Sequence, residues 1–189
     1  KIFENNFKFI PTIDQMNCFD AIEKDMSHKT RPMDRLICGD VGFGKTEVAM
    51  RAMYRAVLSN RQVAVLAPTR VLALQHLRVI KERMPDVSVD ILRGGSLGKD
   101  VKSSIADGTC QIVVGTHALL QNGITFSNLG LLVIDEEQRF GVDQKEKLKA
   151  TSGGVDVLTL SATPIPRTLQ MSLSGLRDFF LHSTKTLLV

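Results

Sequence analysis

The residues able to do chemistry in this 189-residue chain sit in a few short clusters. Gly39-Asp40-Val41-Gly42-Phe43-Gly44-Lys45-Thr46 meets every fixed position of the phosphate-loop pattern G-x-x-x-x-G-K-[ST]. Glycines there let the backbone curl until its N–H groups point inward at phosphate oxygens. A helix starting near Lys45 turns its positive end toward the same place. Lys45 would then reach the β- and γ-phosphates of a nucleotide, and Thr46 would ligate Mg²⁺. Downstream, Asp135-Glu136-Glu137-Gln138 offers adjacent carboxylates. Asp135 suits the metal, and Glu136 suits the orientation or deprotonation of an attacking water. Glu137 reads as a solvated or structural charge. Ser161-Ala162-Thr163, followed by Pro164, Pro166 and Arg167, supplies short hydroxyls that can reach Asp135–Gln138 or a phosphate. Pro68-Thr69-Arg70 and Gly115-Thr116-His117 each put a hydroxyl and a cationic or ring side chain at a helix start. Such groups contact nucleic-acid phosphates, and they are equally common as plain helix caps.

These clusters need strands and helices to hold them. Short apolar runs occur at Arg35–Cys38, Val63–Ala67, Val87–Leu92, Gln111–Val114, Leu131–Ile134 and Val157–Leu160. Most are continuous rather than alternating, which suits strands buried on both faces of a parallel sheet. Between them, Thr46–Leu58 carries a stripe of Ala49, Ala52, Met53, Ala56 and Val57, with Glu47, Arg51 and Arg55 on the other side. Val71–Met84 puts Ala73, Leu77, Ile80 and Met84 on one face, and Pro85 stops it. Alternating β and α elements predict an α/β domain with helices on both sheet faces. Ligands of such sheets bind beyond the carboxyl ends of the strands, where every cluster above falls.

Composition narrows the classes. Hydrophobic residues at 43% and charged residues at 23% exclude a disordered or collagen-like chain. The net charge of +4 permits an anionic partner without establishing one. No apolar run approaches the ~18 residues a membrane helix needs, so no membrane role is expected. Cys18, Cys38 and Cys110 lack metal-ligand spacing and read as reduced core residues. The chain begins at Lys1 without a leader, as a fragment or processed piece would.

Taken together, the clusters resemble the motifs of superfamily 2 helicases. Pro32–Ala49, Asp135-Glu136-Glu137-Gln138-Arg139-Phe140-Gly141-Val142 and Ala162-Thr163-Pro164-Ile165-Pro166-Arg167-Thr168 are similar to the branch that holds the transcription-repair coupling factors and RecG. The resemblance implies a RecA-like P-loop NTPase domain with a mainly parallel central sheet flanked by helices. It implies ATP and Mg²⁺ as cofactors and ATP-driven translocation on double-stranded DNA. Phe9-Ile10-Pro11-Thr12-Ile13-Asp14-Gln15 matches the family's F-x-x-T-x-D-Q segment. By resemblance Phe9 stacks near adenine while Thr12 and Gln15 read its edge. From the residues alone, Phe9 could be core and Thr12 or Asp14 a cap on the Gln15–His28 helix. Gly39, Asp40, Val41, Gly42, Phe43, Gly44, Lys45 and Thr46 would cradle the phosphates. Thr69, Arg70, Thr116 and His117 would touch DNA. Gln138, Ser161, Ala162, Thr163 and Arg167 would couple the site to the domain interface.

The expected organisation is a linker and adenine-recognition helix at 1–30, a first RecA-like domain at 31–178 and a divergent tail at 179–189. A second RecA-like domain, missing from this chain, would supply arginine fingers. An RNA polymerase contact would lie in domains upstream of Lys1. Gln138 and Gln144-Lys145-Glu146-Lys147 look like the cyanobacterial and chloroplast version, so a chloroplast location is expected, or the cytoplasm of a bacterium. Leu92–Gly98 departs from the family's S-R-F-x-S stretch, which puts one DNA contact in doubt. Two other classes remain: a nucleotide-dependent interaction module without motor activity, and a small-molecule P-loop kinase. The kinase would leave the clusters at 68–70, 115–117 and 161–163 idle.

Overall fold

The computed structural model describes Phe3 and residues 10–27, 31–39, 42, 44–92, 99–120, 123–140, 154–162 and 178–181. In chain order the elements are α1 (Ile13–Ser27), β1 (Asp34–Cys38), α2 (Lys45–Leu58), β2 (Gln62–Leu66), α3 (Arg70–Arg83), β3 (Val89–Ile91), α4 (Lys99–Ala106), β4 (Ile112–Gly115), β5 (Leu129–Asp135), β6 (Asp156–Ser161) and β7 (Asp178–Leu181). The strands join in one sheet of order β3-β4-β2-β5-β6-β1-β7. Its pairings are parallel throughout. The six expected strands are all present, with ends shifted by one or two residues. β7 and α4 were not anticipated from sequence, and β7 extends the sheet into the segment expected to diverge.

Strand alternation divides the core. Ile37, Val63, Val65, Val114, Val133 and Leu158 pack with residues of α1, α2 and α3. Their neighbours Ala64, Leu66, Val113, Leu132 and Ile134 pack on the other face with Ile105 of α4, Leu119, Leu120 and Phe140. One sheet between two apolar layers follows directly from side chains that point to opposite faces with period two.

Helix α2 lies deeper than its pattern suggests. Glu47, expected on the solvent side, is only 6% exposed. Two arginines make that burial possible. Arg83 of α3 reaches both carboxylate oxygens at 2.9 and 3.1 Å, and Arg51 donates to one at 3.1 Å. A buried charge is tolerated when it is paired and hydrogen-bonded. Phe3 stacks on Tyr54 and lies under the Arg83 guanidinium, so the same arginine covers α2 from outside.

The three cysteines are buried thiols rather than disulfides, as expected. Burial pushes the Cys18 thiol up to about 12 and the Cys110 thiol up to about 11, so both stay as inert thiols.

β1 carries the glycine loop, and it is held at its entry. Met33 N–H donates to Asp156 Oδ1 at 2.7 Å, and Arg35 of β1 pairs with Asp25 of α1. Burial pushes the Asp156 carboxyl above its ordinary 3.8, with the Asp25 charge adding to the rise and the Met33 N–H and Arg61 opposing it. The unfolded chain therefore loses this proton first as pH rises, and stability falls between the unfolded and the folded pKa. Below 3.8 both states are protonated and the cost is gone. Asp156→Asn keeps the acceptor for Met33. It should melt above the parent near pH 7, with the gap closing as pH falls below about 4. Thermal melts across pH measure this. A parent that melts higher at neutral pH would mean the charge stabilises the fold.

Candidate nucleotide-binding site

Parallel pairing brings the ends of five strands to one sheet edge. Cys38 of β1 is level with Ser161 of β6, Asp135 of β5 with Leu160, and Leu66 of β2 with both Ile134 and Gly115. The clusters that follow these strands are thus neighbours in the order β4, β2, β5, β6, β1. The chain leaves β1 and returns as β2 on the far side of β6 and β5, so the glycine loop opens where the strand order breaks.

The loop has the geometry its glycines permit. Gly42 has φ +91° and Gly44 has φ +74°, both in the left-handed region. Gly44 is the residue that precedes α2, and no side chain caps the helix there. First-turn amides of a helix lack the usual partner four residues back and can face an anion; here Glu47 N–H turns back to Gly44 O at 2.9 Å. Thr46 is exposed. Lys45 folds back so that its Nζ donates to the carbonyl oxygen of Gly39 at 2.5 Å. Gly39 N–H donates to Ser161 O at 3.2 Å, which ties the loop to β6.

Thr12 and Gln15 are also beside the loop. Thr12 N–H donates to Gln15 Oε1 at 3.0 Å, and Gln15 N–H donates to Thr12 Oγ1 at 3.3 Å. This reciprocal pair is a capping box, so the expected cap on α1 is present. Gln15 is buried, and its amide nitrogen occupies the space a Cβ on Gly44 would need.

Asp135 closes β5, and Glu136 follows it with φ +55°, an unusual conformation for a side-chain-bearing residue. Its N–H donates to Leu160 O at 2.9 Å. Its carboxylate is held from two sides: Ala162 N–H donates to Oε1 at 3.0 Å, and the Gln138 amide donates to Oε2. Ser161 Oγ donates to Gln138 Oε1 at 3.4 Å. Backbone strain of this kind, held by several hydrogen bonds, is a mark of functional sites.

Thr69 is exposed and caps α3, its Oγ1 accepting from Leu72 N–H at 3.2 Å. Arg70 beside it is exposed. Thr116 is half-buried, and exposed His117 opens a short 3₁₀ turn. Ala67 N–H donates to Gly115 O, which joins the bases of these two clusters. Phe9, Asp40, Val41, Phe43, Thr163 and Arg167 lie outside the described residues, as do residues 144–147 and 93–98. One contact was missed from sequence: His76 of α3 reaches Asp135. Its position was readable, since 73, 76, 77 and 80 share one helical face and a histidine there must point at the sheet.

A Mg²⁺ ion fits this donor set. The Thr46 hydroxyl and the Asp135 carboxylate are hard oxygen donors at one sheet edge. Among the described residues no group of three or more His, Cys, Asp or Glu could hold a metal unaided. Mg²⁺ suits two such donors, because it takes one or two protein ligands and completes its shell with phosphate and water.

The fold and the site define a class. Residues 12–172 match the family model described as DEAD/DEAH box helicase, and the chain belongs to that family. Its sheet and helices are those of a RecA-like helicase domain. Within the family it is 50% identical over 187 residues to the transcription-repair-coupling factor of Bacillus subtilis (strain 168), covering 96% of this chain and 16% of that protein. It is 52% identical over 181 residues to that of Mycobacterium tuberculosis (strain CDC 1551 / Oshkosh), covering 93% and 14%. The structure of RecG bound to a three-way DNA junction superposes with a TM-score of 0.83 at 35% identity, over 98% of this chain and 25% of that one. The DEAD-box helicase Mss116 bound to ssRNA and UDP-BeF gives 0.71 at 18% identity over 98% and 42%, a likeness of fold alone. The chain therefore spans a small part of its curated relatives' length. The branch that the motifs resemble is the branch found.

Gly42 and Gly44 separate two costs. Among the described residues a Cβ at Gly42 would meet nothing within 4 Å, whereas one at Gly44 would collide with Gln15. Gly42→Ala should lose about 1–2 kcal/mol from the left-handed backbone alone. Gly44→Ala should lose more, because Gln15 must also move. Urea unfolding of the two variants checks the order. Equal losses would mean that Gln15 does not brace the loop.

Proposed function

We propose that this chain is the ATP-binding half of an ATP-dependent DNA helicase or double-stranded DNA translocase. The observation that carries the reading is the uncapped start of α2 behind Gly44, on the same sheet edge as Asp135 and Glu136. In this reading the amides after Gly44, with Lys45, bind the triphosphate. Gly39, Asp40, Val41, Gly42 and Phe43 complete the cradle. Phe9, Thr12 and Gln15 recognise the base. Thr46 and Asp135 would hold Mg²⁺, which would supply positive charge to offset that of the phosphates. Glu136, fixed by Ala162 and Gln138, takes the proton of the attacking water.

The remaining residues face the load. Thr69, Arg70, Thr116 and His117 would contact DNA phosphates, and Gln138, Ser161, Ala162, Thr163 and Arg167 would pass the state of the nucleotide to the domain interface. The RecG likeness, with its DNA junction, supports duplex DNA as the partner. The similarity to transcription-repair-coupling factors supports an RNA polymerase contact through parts beyond this chain. Arg139 and Arg167 share the domain of the glycine loop, so the arginine fingers belong to a second RecA-like domain. The named relatives are bacterial, and a chloroplast setting rests on Gln138 and residues 144–147 by resemblance.

Arginine fingers are worth about 10³–10⁵ in rate, so these 189 residues alone should turn over ATP barely, with or without duplex DNA. Lys45→Ala should abolish nucleotide binding in a fluorescence titration. Glu136→Gln should spare binding and, once a second domain is joined, cut turnover by about 10²–10⁴. DNA-stimulated turnover by the isolated chain, or unimpaired turnover in Glu136→Gln, would overturn the corresponding assignment.

A further inference from the structure

We infer that His76 is a positioning residue for the carboxylate of Asp135; this rests on the reading of Asp135 as a metal ligand. His76 Nε2 lies 2.8 Å from Asp135 Oδ2, and each side chain is 17% exposed. A carboxylate only accepts, so the imidazole donates through Nε2–H. That engages one carboxylate oxygen and leaves the other for a cation.

Two features separate this contact from ordinary packing. First, His76 shares its helical face with Ala73 and Ile80, which are fully buried against the sheet. An apolar side chain would fill that position at no desolvation cost, whereas an imidazole there must find a partner. Second, the partner is the last residue of β5, 59 residues away in the chain. The ladder with β6 fixes the Asp135 backbone but not its side-chain torsions. The imidazole supplies that missing constraint. Hydrogen bonds to a ligating carboxylate orient it, and their loss costs about 10–100-fold in metal affinity. Because His76 is carried by the helix that Thr69 and Arg70 open, the position of α3 also sets the position of the donor.

The test compares two amides. In Gln the amide nitrogen reaches where Nε2 was, and in Asn it falls short, nearer Nδ1. A fluorescent ATP analogue is titrated into the chain with Mg²⁺ and with EDTA, and thermal melts accompany each variant. The parent should bind more tightly with Mg²⁺. His76→Asn should reduce that gain about 10-fold while binding in EDTA stays the same. His76→Gln should keep most of the gain. A full gain in His76→Asn would overturn the inference. So would equal losses in both variants with unchanged melts. A parent that binds the analogue with no gain from Mg²⁺ would sink the metal role of Asp135 itself, a result distinct from failure of His76.

Discussion

A helix start without a side-chain cap is the constraint on which the site depends. Most helices begin with Ser, Thr, Asp or Asn folded over the first amides. Here Gly44 holds that place at φ +74°, and it has no side chain to fold over the amides beyond it. The arrangement spends local stability, since a cap is worth about 1 kcal/mol. The loss is made up elsewhere in α2, whose Val48, Ala49, Met50, Ala52, Met53, Ala56 and Val57 are all buried. A helix fixed so thoroughly by packing can leave its first turn open to an anion.

The second half of the site is built by neighbouring strands acting on each other. Asp135 and Glu136 end β5, yet Glu136 is held by the end of β6, through Leu160 O, Ala162 N–H and the Gln138–Ser161 pair. Neither strand end has its geometry without the other. A shift of the turn after β6 would be felt at once by the Glu136 carboxylate. The left-handed backbone of Glu136 makes the response sharper, because strain of about 1–3 kcal/mol persists only while those contacts over-determine it.

The six apolar runs named from sequence became six strands, because a strand buried on both faces leaves a continuous hydrophobic trace that tertiary context does not change. The glycine loop and the paired carboxylates were legible for a similar reason: their chemistry requires particular residue types in unbroken order. Glu47 was misread because periodicity assigns charges to solvent and cannot see an arginine arriving from another helix. β7 was missed since its Asp178-Phe179-Phe180-Leu181 is short and carries no turn signal, and only its pairing with β1 makes it a strand. His76 was overlooked among apolar neighbours, although its helical face was readable. Contacts that join distant segments are where a single sequence runs out.

β1 explains why the loop can act as a fixed cradle. It lies inside the sheet, between β6 and β7, so its backbone is paired on both sides. Asp156 grips the residue before it through Met33 N–H, Arg35 anchors it to α1, and Gly39 N–H fastens its exit to Ser161. Each such bond contributes only about 1 kcal/mol net. Their effect is geometric: both ends of the strand are pinned, so the glycines after it bend from a stationary base. The half-buried Asp156 carboxyl is the cost of the lower pin, and the upward push on its pKa has the same cause, lost solvation. The upper pin shares Ser161 with the Gln138 network, and there the loop and the paired acids meet through one residue. A change in the turn after β6 therefore reaches the glycine loop and the Glu136 carboxylate together.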